Sequence, residues 1–135
     1  MKVGVEMTRS VDPLVQSRRS AHDQATRGQW AEVVSTLSEH LGNAVVAGMA
    51  GVTAETVSRW SNPARRSAPK PESERRLRDA YAIFQDLTRV DSAHTVRAWF
   101  LGSNPYLGEA SPAERILEDD FKSVLAAARA FRDLG

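Results

Sequence analysis

Apolar residues recur at helical intervals over most of the chain, and no alternating stretch is long enough for a useful strand. Trp30, Val33, Val34, Leu37 and Leu41 share one face of a first firm helix. Thr26 and Gln29 stand at capping-box spacing at its start, and Gly42 supplies its stop. Two short helices are predicted next, about 43–50 and about 54–61. Leu77, Tyr81, Phe84 and Leu87 mark a longer helix opened by Pro71 and running to about 88. Val96, Trp99 and Phe100 mark another, about 92–101, followed by a loop with Gly102, Asn104-Pro105 and Gly108. Ser111-Pro112-Ala113-Glu114 then combines a cap, a proline in first position and a glutamate in third. The last helix carries Phe121, Val124, Leu125, Ala128 and Phe131 at i, i+3, i+4, i+7 and i+10. The predicted fold class is all-α, built of roughly seven short helices with no internal repeat.

The breaks in this pattern divide the chain. Residues 1–25 are polar and weakly periodic, punctuated by Ser10, Asp12, Pro13 and Ser17. They read as a flexible N-terminal arm with one short helix near residues 14–19. Pro63, Pro69 and Pro71 forbid regular helix between them and make a linker. The expected units are residues 26–70 and residues 71–135. A chain of 135 residues, 41% apolar, has material for one compact domain or two small ones sharing an interface.

Composition narrows the chemistry. The absence of cysteine excludes disulfides, a thiol nucleophile and Cys-based zinc sites. The longest apolar run, Ala44 to Val52, falls far short of the roughly 18–20 residues a membrane span needs. Glu6, Arg9 and Asp12 interrupt any signal-peptide core after Lys2, so a cytoplasmic location is expected. The histidines His22, His40 and His94 lie in separate segments at no metal-ligand spacing. There is no P-loop, GxGxxG or GxSxG. Glu118-Asp119-Asp120 reads as an ordinary complement to a helix start. The expectation is therefore a protein that is no enzyme and has no metal or cofactor. The net charge of +1 conceals segregation: −1 over residues 1–56, +5 over residues 57–78 and −3 over residues 79–135.

The positive segment begins inside an informative motif. A helix-turn-helix needs a small residue where its helices cross, a turn glycine of positive φ and apolar plugs between the helices. Ala47 and Gly51 fill the first two places, and Val46, Ala50, Val52, Val57 and Trp60 the rest. Thr53 is placed to cap the second helix, and Glu55 in its first turn complements the helix dipole but also faces where DNA would lie. The text from Ala50 to Trp60 resembles the Gly-Val-Ser-x-x-Thr-Val-Ser-Arg-Trp pattern of bacterial repressor-type helix-turn-helix proteins. The resemblance implies that Thr53, Thr56, Ser58 and Arg59 face bases or phosphates of operator DNA. Arg59 is the candidate for a guanine edge. Arg65, Arg66 and Lys70 are placed to clamp flanking phosphates.

A second resemblance follows the linker. The ordered series Ala98-Trp99-Phe100-Leu101-Gly102-Ser103-Asn104-Pro105-Tyr106-Leu107-Gly108, Ser111 to Leu117, and Phe121-Lys122-Ser123-Val124-Leu125 is similar to the toxin-binding domain of the Xre/MbcA/ParS antitoxin family. That resemblance implies a helical toxin-binding domain and, as partner, a RES-domain toxin that consumes NAD. Its active-site cleft would be covered by the antitoxin, whose helix-turn-helix domain binds the operator of the operon. Carried onto this chain, it implies toxin contacts at Phe121, Leu125, Arg129, Phe131, Arg132, Asp133, Leu134 and Gly135. Asn104, Tyr106 and Leu107 are expected to brace or extend that surface. Phe131, between Arg129 and Arg132, is the expected anchor. Trp99 and Leu117 are expected in the core, and Ser103, Asn104 and Gly108 also fit a loop-shaping role. A homodimer, or a higher hetero-oligomer with toxin, suits paired half-sites. The alternative is a stand-alone repressor whose C-terminal part dimerises or senses.

Overall fold

The computed structural model of the chain describes residues 29–62, 64 and 68–134. They form α1 (residues 29–41), α2 (Asn43–Ala50), α3 (Ala54–Trp60), α4 (Pro71–Leu87), α5 (Ala93–Leu101), a 3-10 turn (Pro105–Leu107), α6 (Pro112–Leu117) and α7 (Phe121–Leu134). No strand occurs among the described residues, and the fold is all-helical. The N-terminal arm, Thr26 of the expected capping box, Arg65, Arg66 and Gly135 lie outside the described residues.

The helix boundaries follow from local chemistry. Gly42, at φ 94°, closes α1 through its amide to Ser38 O and opens α2 by accepting the amide of Val46. Ser92 caps α5 by accepting the Thr95 amide at 3.1 Å. At α6 both halves of the capping box form. Ser111 Oγ accepts the Glu114 amide at 3.0 Å, and Glu114 Oε1 accepts the Ser111 amide at 2.8 Å. Those bonds hold the Glu114 carboxyl below its usual range. Asp120 accepts the Ser123 amide at 3.3 Å and so opens α7.

The buried apolar residues form one cluster that runs from Trp30 and Val34 on α1 to Val124 and Ala128 on α7. Helix α2 is its hub, packed against α3, α4 and α6, while α7 packs on α4, α6 and the 3-10 turn. Residues on both sides of the proline-rich stretch thus contribute to a shared interior. Trp30 meets Trp60 edge to face at 5.5 Å, and His40 stacks on Phe84 at 5.2 Å. Arg78 lies over the Trp30 ring at 5.5 Å, steered by Glu74 at 2.8 Å.

Two expectations are corrected. Leu117 is 40% exposed instead of belonging to the core. Ile116 takes the inward position at the end of α6, and Leu117 lies instead over the turn at Gly51. The segment expected to be only a loop contains the 3-10 turn. Asn104 Oδ1 accepts the Tyr106 amide at 2.9 Å and Gly108, at φ 64°, closes it.

Candidate nucleic-acid interface

Helices α2 and α3 are joined by the three residues Gly51, Val52 and Thr53. Gly51 adopts φ 80° and ψ 35°, a left-handed conformation that favours glycine. The amides of Gly51 and Val52 both donate to Ala47 O, at 2.9 and 3.0 Å, so the chain reverses tightly. Val57 and Trp60 point from α3 into the core with Val46, Ala47 and Ala50 of α2. The opposite face of α3 is thereby left outward.

Two separate hydrogen-bonded groups of polar side chains lie there. Thr53 Oγ1 accepts the Thr56 amide at 3.2 Å and caps α3. The two hydroxyl oxygens are 3.0 Å apart, and Arg59 Nη2 donates to Thr56 Oγ1 at 3.1 Å. Asn43 Nδ2, at the start of α2, donates to Ser58 Oγ at 3.1 Å. Thr53 and Ser58 are exposed, and Thr56 and Arg59 half-buried. Beside them a groove of about 380 Å³ runs between α3 and the start of α4, lined by Thr56, Arg59, Trp60, Lys70 and Arg76 among others. The structure therefore sets Thr53, Thr56 and Arg59 in a row along α3, with exposed Lys70 across the groove, and Ser58 on the flank beside Asn43 of α2.

The turn is braced from the C-terminal half of the chain. Ala50 O, the last carbonyl of α2, accepts from Ser73 Oγ at 2.9 Å and from Arg76 Nη1 at 3.0 Å. The same guanidinium grips Asp119 with Nε and Nη2, both at 3.0 Å, while Arg75 adds a third bond at 3.0 Å. Arg76 first, then Arg75, holds the Asp119 carboxyl below its usual range. Among the described residues no cluster of His, Cys, Asp or Glu suits a metal ion, and no helix is long and apolar enough to cross a membrane. Asn43, Ser73, Arg76 and Asp119 were not marked by sequence spacing. Their partners lie 15 to 44 residues away, and no local pattern announces such pairs.

The residues expected at a toxin surface divide into two groups. Tyr106 and Leu134 are the most exposed, at 63% and 82%, and Arg129 and Asp133 are also exposed. Phe121 and Leu125 are half-buried. Leu107 is 3% exposed and packs inward. Its carbonyl is taken by Arg115 Nη2 at 2.9 Å. Asn104 is 8% exposed, and its backbone and side chain both shape the turn around it. Phe131 rests against the core and meets Trp99 at 6.0 Å. Arg132 Nη1 donates to Asp86 at 2.7 Å. Leu107, Asn104, Phe131 and Arg132 thus have work inside the fold. No family model, curated protein or solved structure matches this chain.

Proposed function

We propose that the chain binds duplex DNA through α3 and serves as an antitoxin that represses its own operon and neutralises a RES-domain toxin. The observation that carries the DNA-binding part is the left-handed turn at Gly51 joined to an outward face of Thr53, Thr56, Ser58 and Arg59. A short helix held this way presents hydrogen-bonding side chains to the major groove. The neutralising part rests on the resemblance of the segment from Ala98 to Leu125. Its proposed surface is the exposed set Tyr106, Arg129, Asp133 and Leu134.

The test has two arms. The full chain is titrated with the duplex lying upstream of its own reading frame. Arg59→Ala is expected to weaken binding by about tenfold or more. Failure of the unmodified chain to prefer that duplex over unrelated DNA would remove the repressor role. Co-expression with a RES-type toxin from the adjacent reading frame is expected to restore growth and NAD. Persistent NAD loss beside a stable, folded chain would remove the antitoxin role. The internal engagement of Phe131 and Arg132 favours a second reading, a stand-alone repressor whose C-terminal helices chiefly support the DNA-binding half.

A further inference from the structure

Arg59 and Ser58 are each held by a neighbour before any ligand arrives. Thr53, Thr56 and Arg59 follow one another at intervals of three on one face of α3. A guanidinium only donates, so Thr56 Oγ1 accepts from Arg59 Nη2, and it shares a further bond with Thr53 Oγ1 in which either hydroxyl can donate. This draws the guanidinium back toward the first turn of α3 and leaves the second Nη2 hydrogen free to form a parallel pair with Nε–H or Nη1–H. The Ser58 hydroxyl accepts from Asn43 Nδ2, which leaves its own hydrogen available as a donor.

We infer that Thr56 and Asn43 are positioning residues that set Arg59 and Ser58 as a donor surface, and that this surface selects guanine edges in the major groove. This inference rests on the DNA-binding reading. Guanine presents two acceptors, N7 and O6, on its major-groove edge. Adenine pairs one acceptor with a donor, cytosine offers a donor, and thymine offers one acceptor beside a methyl group. A fixed pair of donors therefore matches guanine better than any other base. Thr53 and Thr56 in this arrangement organise the reader and do not themselves read. Pre-orientation also lowers the side-chain ordering that binding must impose on a long arginine.

The experiment uses the full chain and a library of randomised duplexes, with enrichment read base by base. The unmodified chain is expected to enrich guanine at one position that Arg59→Ala renders indifferent. Thr56→Val keeps the shape of the side chain and removes its acceptor. It is expected to lower the guanine preference at that position roughly threefold to tenfold. Thr56→Ser keeps the hydroxyl and is expected to restore the preference. Asn43→Ala is expected to relax selection at a neighbouring position only. Undiminished guanine preference in Thr56→Val, or equal impairment in Thr56→Ser, overturns the assignment. So does an Arg59→Ala variant weakened uniformly across all sequences, the mark of a phosphate clamp. Lack of binding to any duplex by the unmodified chain overturns the DNA-binding reading and this inference with it. Binding with unaltered base preference in the variants overturns this inference alone.

Discussion

Gly51 shows how much one residue decides here. A Cβ at this position would stand 3.1 Å from Arg76 Nη1 and 3.3 Å from Leu117 Cδ1, on a backbone already at φ 80°. Gly51→Ala therefore meets both a conformational penalty and a crowded neighbour. It is expected to lower stability by about 1–2 kcal/mol in denaturant unfolding. Asp79 is a residue of the opposite kind. Burial raises its carboxyl above the ordinary 3.8; the charge of Arg75 opposes the shift and that of Asp119 adds to it. A raised folded value means the favourable contribution is full below 3.8 and lost as pH rises through the folded value. At neutral pH the ionised Asp79 is thus a small liability. Asp79→Asn is expected to raise the melting temperature at pH 7, by a gain that solvent screening holds to about 0.5 kcal/mol. The gain should vanish in melts below pH 3.8. A constant gain at every pH would refute the ionic explanation.

Between elements, the Arg76 brace ties the α2–α3 turn to the α6–α7 turn. Arg76→Met removes its bond to Ala50 O and leaves Asp119 to Arg75 alone. The expected cost is about 1–2 kcal/mol, with faster amide exchange at Gly51 and Val52. Unchanged exchange there would count against the brace. Asp119 has a lowered carboxyl, so its contribution is present above 3.8 and is lost as pH falls through the folded value. Asp119→Asn is accordingly expected to be less stable than the unmodified chain at neutral pH, with the difference narrowing in acid. The helices themselves were largely readable from sequence because their signals are local. Thr53, Ser92 and Ser111 cap within three residues, and Gly42 and Gly51 stop the chain where they stand. The candidate reading face was legible for the same reason, since Thr53 to Arg59 lie on one short helix. What bears on that face from afar was not legible. Asn43 meets Ser58 because α2 packs on α3, and Arg76 meets Asp119 because α4 packs on α6, neither of which a local pattern states. Leu117 misleads for a related reason, as one more apolar residue beside Ile116 at a helix end has two faces to choose from.

At the scale of the molecule, the shared interior makes the C-terminal helices part of the support for α2. Truncation after Ala128 removes Phe131 from Trp99 and Arg132 from Asp86. It is expected to cost about 2–3 kcal/mol in thermal or denaturant unfolding, so any loss of partner binding must be judged against that loss of stability. The charge pattern is altered by folding as well. Seven basic side chains lie between residues 57 and 78, but Arg75 and Arg76 share Asp119, and Arg78 pairs with Glu74. Three of the seven face carboxylates supplied by the fold. The remaining four are Arg59, Arg65, Arg66 and Lys70. Each phosphate neutralised by a protein cation releases condensed counterions, with a slope of about −0.9 in log affinity against log salt. If the chain binds DNA as proposed, with Arg59 on a base edge, the segment should meet about three phosphates per chain at most, giving a slope near −3. Its dependence on ionic strength would be that of a moderate electrolyte partner, well short of what seven free cations would produce.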